Sequence, residues 1–230
     1  MLKMDNTLIV FLKYPTPGQV KTRLAKDIGN ERSCFIYKSL AEHVIKNIIP
    51  KNQRTYDVRI FFTPADKANE IKAWLKPFLN IMPGTSAQFI SQEGNDLGKR
   101  MSTAFKKTLQ SYPCVNEDKR FSSHQAIIIG TDCPEIDAEL IKNAFKVLKR
   151  KDVIIGPCKD GGYYLIGMTR YIPELFVDID WSTSRVFDQT IEKIRKNNLS
   201  YGILKTLSDI DRIEDLYIGG KINNRGYIHS

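Results

Sequence analysis

Ala126-Ile127-Ile128-Ile129-Gly130-Thr131-Asp132-Cys133-Pro134 is the stretch on which the fold turns. Its apolar residues run together without polar alternation, the mark of a strand covered on both faces, and such strands belong to parallel sheets flanked by helices. The run stops at Gly130, and a carboxylate follows two residues later, just before a proline that halts the chain. Ligands of open α/β sheets lie in the crevice beyond the carboxyl ends of the strands. Asp132 is therefore placed where chemistry is expected.

Working outward, Val153-Ile154-Ile155 repeats the pattern, and further strands are predicted at 7–11, 57–62, 89–91, 163–168 and 201–204. Between them, longer stretches carry helical spacing at 20–27, 32–48, 65–75, 99–110, 138–149 and 183–196. Strands alternating with helices imply a three-layer α/β/α arrangement around a mostly parallel, mixed sheet. The segment 111–125 (SYPCVNEDKRFSSHQ) is polar and aperiodic, and reads as a mobile surface loop. Residues 217–230 are rich in Gly and Asn and read as a C-terminal tail. With no repeat and no low-complexity linker, residues 1–230 are expected to form one domain.

Composition narrows the function. A chain of 230 residues should hide roughly 70–75% of its unfolded surface, enough for one large core. No run approaches the roughly 20 apolar residues of a membrane span, and the N-terminal apolar stretch is too short for a secretory signal, so a cytoplasmic protein is expected. Cys34, Cys114, Cys133 and Cys158 are far apart and form no CxxC pair, which argues against a disulfide scaffold or a structural zinc site. His43, His124 and His229 have no metal-type partner nearby in sequence. The 35 Lys+Arg against 26 Asp+Glu give a net charge of +9, which fits either basic helix faces or an anionic partner.

Five clusters follow strands or open helices. In the first, Lys13-Tyr14-Pro15-Thr16-Pro17-Gly18-Gln19-Val20-Lys21-Thr22-Arg23, two prolines and Gly18 set a tight loop ahead of a helix N-terminus. Free N–H groups with Lys13, Lys21 and Arg23 would favour a phosphate. It is not a Walker A loop, because the glycines that motif needs are missing. The second, Gln92 to Met101, places Asp96, Gly98 and Arg100 at another helix start, equally readable as an ordinary cap. The third is Asp132, a candidate ligand for a hard cation such as Mg²⁺, or else a turn cap. The fourth, Asp160-Gly161-Gly162-Tyr163, is a hairpin signal whose glycines would let a substrate approach the backbone. In the fifth, Asp209 and Asp211 are two residues apart and could reach one cation, or could cap the helix that follows.

Taken in order, KYPTPGQVKTRLA, QEGNDLGKRM, GTDCPEI, GPCKDGGYYLIG, the DWST of Asp180 to Thr183 and DIDRIEDL resemble one family over about Phe11 to Leu216. It is the bacterial glycosyltransferase-A-like "transferase 1" family, the domain of unknown function 2064 type. The chain is more distantly similar to phospholactate and molybdenum-cofactor guanylyltransferases. This resemblance implies a nucleotide-diphosphosugar transferase fold of the GT-A, Rossmann-like kind, working with Mg²⁺ or Mn²⁺. It implies that Lys13, Pro17, Gly18, Lys21 and Arg23 hold nucleotide phosphates, with Asp96, Gly98 and Arg100 near the nucleotide. Asp132, Asp209 and Asp211 would ligate the metal, and Lys21, Arg23 and Asp132 would carry catalysis.

The function expected is a metal-dependent transferase that takes a nucleotide sugar or nucleoside triphosphate as donor and a small molecule as acceptor. Nucleotidyl transfer to an anionic acceptor is the alternative within that class. Outside it stand a basic nucleic-acid-binding protein, for which the chain lacks recognisable motifs, and a nucleotide sensor without turnover.

Overall fold

The computed structural model describes residues 5–50, 55–79, 87–110 and 124–217. Strands β1 (Asn6–Lys13), β2 (Asp57–Thr63), β3 (Gln88–Ser91), β4 (Gln125–Ile129), β5 (Val153–Pro157), β6 (Tyr163–Met168) and β7 (Tyr201–Ile203) build one sheet. Their order is β3-β2-β1-β4-β6-β5-β7. Four pairings are parallel, and β6 runs antiparallel to both of its neighbours, β4 and β5. The helices are α1 (Thr22–Ile28), α2 (Asn30–Ile48), α3 (Ala68–Leu79), α4 (Leu97–Leu109), α5 (Ala138–Leu148), α6 (Val186–Lys196) and α7 (Ile213–Tyr217).

Strand periodicity explains the layers. In β1, Leu8, Val10 and Leu12 join one buried cluster with residues of α2, α3 and α5, whereas Ile9 joins a second with α4 and α6. In β4, Ile127 and Ile129 face the first cluster, and Ala126 and Ile128 face the second. A strand serving two cores has no polar face, which is why the isoleucine run shows no alternation. The helices pack through residues spaced for one face, Met101, Ala104 and Phe105 in α4 and Ile141, Ala144, Phe145 and Leu148 in α5. Asp96 and Asp137 cap these two helices, accepting from the backbone N–H groups of Lys99 and Leu140.

The hairpin expected at Asp160-Gly161-Gly162 joins β5 to β6. Of the loop expected at 111–125, only His124 and Gln125 are among the described residues; both are buried, and Gln125 opens β4. The tail expected at 217–230 lies outside the described residues except for Tyr217, which ends α7. No helix among the described residues is long and apolar enough to cross a membrane.

Candidate active site

Beyond the carboxyl ends of the parallel strands lies a cleft of about 730 Å³. Its charged lining consists of four cations (Lys13, Lys21, Arg23, Arg100) and four carboxylates (Asp132, Asp160, Asp209, Asp211). Sheet order sorts them. The cations follow β1 and β3, and the carboxylates follow β4, β5 and β7. Strand order reverses direction between β1 and β4, and that switch point is where an open α/β sheet leaves a crevice.

The two sets meet at Lys21. Its ammonium lies 2.6 Å from Asp132 Oδ1 and 2.9 Å from Asp211 Oδ1, with the side chain only 3% exposed. Burial alone would lower the affinity of Lys21 for its proton; Asp132 and Asp211 outweigh it and hold the pKa above its ordinary value. The other Asp211 oxygen accepts from Arg23 Nη1 at 3.3 Å. Burial would raise the Asp211 carboxyl, but Lys21 and then Arg23 keep it below its usual range. Asp132 Oδ1 is buried while the side chain as a whole is 45% exposed, so its second oxygen is the one open to the cleft.

The first loop is built for this placement. Gly18 takes φ 76° in a Pro-Gly turn closed by the Gln19 N–H donating to the Thr16 carbonyl at 3.0 Å. Lys13 Nζ donates back to the Gln19 carbonyl at 2.7 Å. Tyr37 of α2 binds both the N–H and the carbonyl of Lys13 through its hydroxyl, each at 2.9 Å. Lys21 itself is left-handed at φ 47°, so α1 starts at Thr22 and not at the expected Val20. That kink turns the lysine inward toward β4.

On the other side, the chain after β7 runs beside the β5–β6 turn, through hydrogen bonds from Lys159 N–H to Leu207 O and from Leu207 N–H to Pro157 O. The Ile210 N–H donates to the Asp132 carbonyl at 3.1 Å. Asp215 caps α7, accepting from the N–H groups of Asp211 and Arg212, which leaves the side chains of Asp209 and Asp211 for the cleft. Donor atoms of Cys158, Asp160 and Asp209 lie within 4.8 Å of one another. Burial, then Asp160 and Asp211, push the Asp209 carboxyl up to about 6. Beneath them, Cys133 Sγ is 3.7 Å from Cys158 Sγ. While both cysteines are reduced, the neighbouring Cys158 sulfur and burial push the Cys133 thiol above its ordinary pKa.

Of the residues expected at the site, Lys13, Lys21, Arg23, Arg100, Asp132, Asp160, Gly162, Tyr163, Asp209 and Asp211 line one cleft. Pro17, Gly18, Asp96, Gly98 and Gly161 do not line it. Pro17 and Gly18 shape the loop, and Asp96 caps α4. Gly98 and Gly161 allow close packing, since a Cβ on Gly98 would strike the Trp181 indole and one on Gly161 the Ser184 backbone. Several lining residues were not singled out from sequence, among them Gln92, Trp181 and Tyr37. Gln92 directly follows β3, and Trp181 sits in the DWST stretch, so both had a positional signal. Tyr37 lies inside a helix and had none.

A family model described as "Uncharacterized protein conserved in bacteria (DUF2064)" matches residues 50–183. No curated protein matches the sequence. Among solved structures, a candidate nucleotide-diphospho-sugar transferase from Desulfovibrio desulfuricans G20 is similar with a TM-score of 0.79 and 30% identity, over 96% of this chain and 89% of that one. A cytidylyltransferase from Leptospira borgpetersenii serovar Hardjo-bovis gives 0.51 at 12% identity, over 98% and 90%. The 4-diphosphocytidyl-2C-methyl-D-erythritol synthase of Anaerococcus prevotii gives 0.52 at 8%, over 93% and 94%. The last two share the fold alone. The expected three-layer transferase fold, with its mixed and mostly parallel sheet, is the observed one.

Proposed function

The chain belongs to the DUF2064 family of bacterial proteins, and on that premise we propose that it is a metal-dependent transferase whose donor is a nucleotide sugar or a nucleoside triphosphate. The observation that carries this reading is the sorting of charge across one cleft, cations on the β1/β3 side and carboxylates on the β4/β5/β7 side. A nucleotide diphosphate with its counter-cation needs both. Phosphate oxygens would lie against Lys13, Arg23 and Arg100, whose charge-assisted bonds are worth about 1.5–3 kcal/mol each. Lys21 has three N–H donors, and its two carboxylate partners leave one for a phosphate oxygen.

The carboxylate side fits a divalent cation. Asp209 is held up to about 6 by burial beside two more carboxylates, a local excess of negative charge that a cation relieves. Asp209 and Asp160, with the outer oxygen of Asp132, would hold Mg²⁺ or Mn²⁺. Asp211, also expected as a ligand, has both oxygens engaged by Lys21 and Arg23, so its part is to fix those two cations. When bound, the metal would neutralise charge on the diphosphate leaving group. Trp181 and Tyr163 line the cleft with Gly162 and would form its wall beside the acceptor or sugar.

In glycosyl transfer the acceptor attacks the sugar carbon and a nucleoside diphosphate leaves. In nucleotidyl transfer an acceptor oxygen attacks the α-phosphorus and pyrophosphate leaves. The four cations favour keeping the second reading, because pyrophosphate is the more highly charged leaving group. A thermal-shift screen of nucleotides and nucleotide sugars with and without Mn²⁺ tests the class, since specific binding raises the melting temperature by mass action. Phosphorus NMR of the products then separates nucleoside diphosphate from pyrophosphate release, and binding without any product would mark a sensor. Asp132→Asn is expected to abolish metal-dependent nucleotide binding in calorimetry while the near-UV spectrum keeps its native form. Unchanged affinity for every metal–nucleotide pair would overturn the assignment.

A further inference from the structure

Cys133 and Cys158 come from separate turns, after β4 and after β5, and meet at the floor of the cleft with their sulfurs 3.7 Å apart. Both line the cleft; Cys133 is 1% exposed, and Cys158 is partly open. Each sits beside a carboxylate of the site. Asp132 precedes Cys133, and Asp160 lies two residues after Cys158 in a turn tied to it by Cys158 N–H to Gly162 O at 3.0 Å and Gly161 N–H to Cys158 O at 3.2 Å.

We propose that Cys133 and Cys158 are a peroxide-responsive dithiol whose closure to an intramolecular disulfide displaces the carboxylates of the cleft and weakens its hold on a metal–nucleotide pair. A hydroperoxide enters the cleft and reaches the open thiol first. The Cys158 sulfur attacks the O–O bond, takes one oxygen as a sulfenic acid, and the remaining alcohol or water leaves with the thiol proton. The Cys133 sulfur then attacks the Cys158 sulfur. The S–S bond forms as the S–O bond breaks, and hydroxide leaves as water with the proton of Cys133. Overall, two thiols lose two electrons and two protons, and the peroxide is reduced to an alcohol and water.

The bond draws the sulfurs from 3.7 Å to about 2.05 Å. Cys133 and Cys158 are anchored on two different strand ends, so closing that gap moves the Asp132 turn against the Asp160 turn. The dithiol rests on the sulfur geometry alone, whereas its effect on binding rests on the transferase reading.

The test has two arms. Full-length protein is treated with hydrogen peroxide, denatured, alkylated and mapped without reduction. The expected result is a Cys133–Cys158 cross-linked peptide that dithiothreitol reverses, and Cys133→Ser should instead leave a dimedone-reactive sulfenic acid on Cys158. Oxidation of Cys158 to sulfinic acid with Cys133 still alkylatable, or its cross-linking to Cys34 or Cys114, would overturn the dithiol. In the second arm, calorimetry with Mn²⁺ and each of CTP, GTP and UDP-glucose compares reduced and oxidised protein. Displaced ligand supports should weaken binding about 10–100-fold, restored by reduction. Unchanged affinity after proven cross-linking overturns the regulatory step. Absence of binding to the reduced protein counts against the transferase reading instead, and the first arm still decides the dithiol.

Discussion

Replacing Lys21 by Met removes the one group that neutralises Asp132 and Asp211 together, and leaves two carboxylates facing each other across an apolar side chain. Deleting one partner of a fully buried ion pair costs about 3–5 kcal/mol. Asp132 and Asp211 remain partly open to water, so a loss of about 1–3 kcal/mol is expected in urea unfolding. Nucleotide affinity should fall with it. Asp209 carries a different signature. Its carboxyl at about 6 binds a proton more tightly in the folded than in the unfolded chain. Stability contributed by this residue is therefore present at low pH and is lost as pH rises through the interval from the ordinary carboxyl range to about 6. Asp209→Asn should remove that loss, so the variant gains on the wild type as pH rises from ~4 to ~6 in urea titrations without metal. At this scale the sequence revealed residue types well and partners poorly. Asp132, Asp209 and Asp211 were legible as candidate ligands because strand ends and i, i+2 spacing are local facts. That Lys21 would sit between two of them depends on its left-handed backbone and on a contact 190 residues away.

The elements were legible where packing and propensity agree. All seven strands and six of the helices lie close to their expected spans, most clearly where an uninterrupted apolar run (β4, β5) or a strong helical face (α4, α5) marks them. Departures have physical causes. The positive φ of Lys21 delays α1, and the first residues expected in the helix at 183–196 instead form the turn that passes Gly161 before α6 starts at Val186. The five-residue α7 is too short to show a period. Close approach between elements left only a glycine as its trace. At Gly98, near the start of α4, a methyl group would collide with the Trp181 ring. Gly98→Ala should push the Trp181 segment away from α4, at a cost of about 1–3 kcal/mol of overpacking. The chain has two tryptophans, so a red-shifted emission that persists in a Trp74→Phe background would report the displacement directly.

At the scale of the molecule, β1 pairs with β2 on one side and β4 on the other, so the cation-bearing and carboxylate-bearing halves share one hydrogen-bonded sheet. A single cooperative unfolding transition is expected, coincident by circular dichroism and tryptophan emission. Ile128→Ala, at a 4% exposed position in β4, should lower that transition by about 2–5 kcal/mol without splitting it. Two resolved transitions would mean that the halves fold independently. The strand order itself was beyond sequence, since which neighbour a strand chooses depends on crossovers that leave no local pattern.

One strand in the sheet runs backward, and its direction has a use. Because β6 returns from the cleft, the bend that joins it to β5 lies at the cleft end of the sheet and brings Asp160 and Gly162 into the lining. Had β6 run parallel to β5, a crossover would replace that bend, and neither residue would reach the cleft.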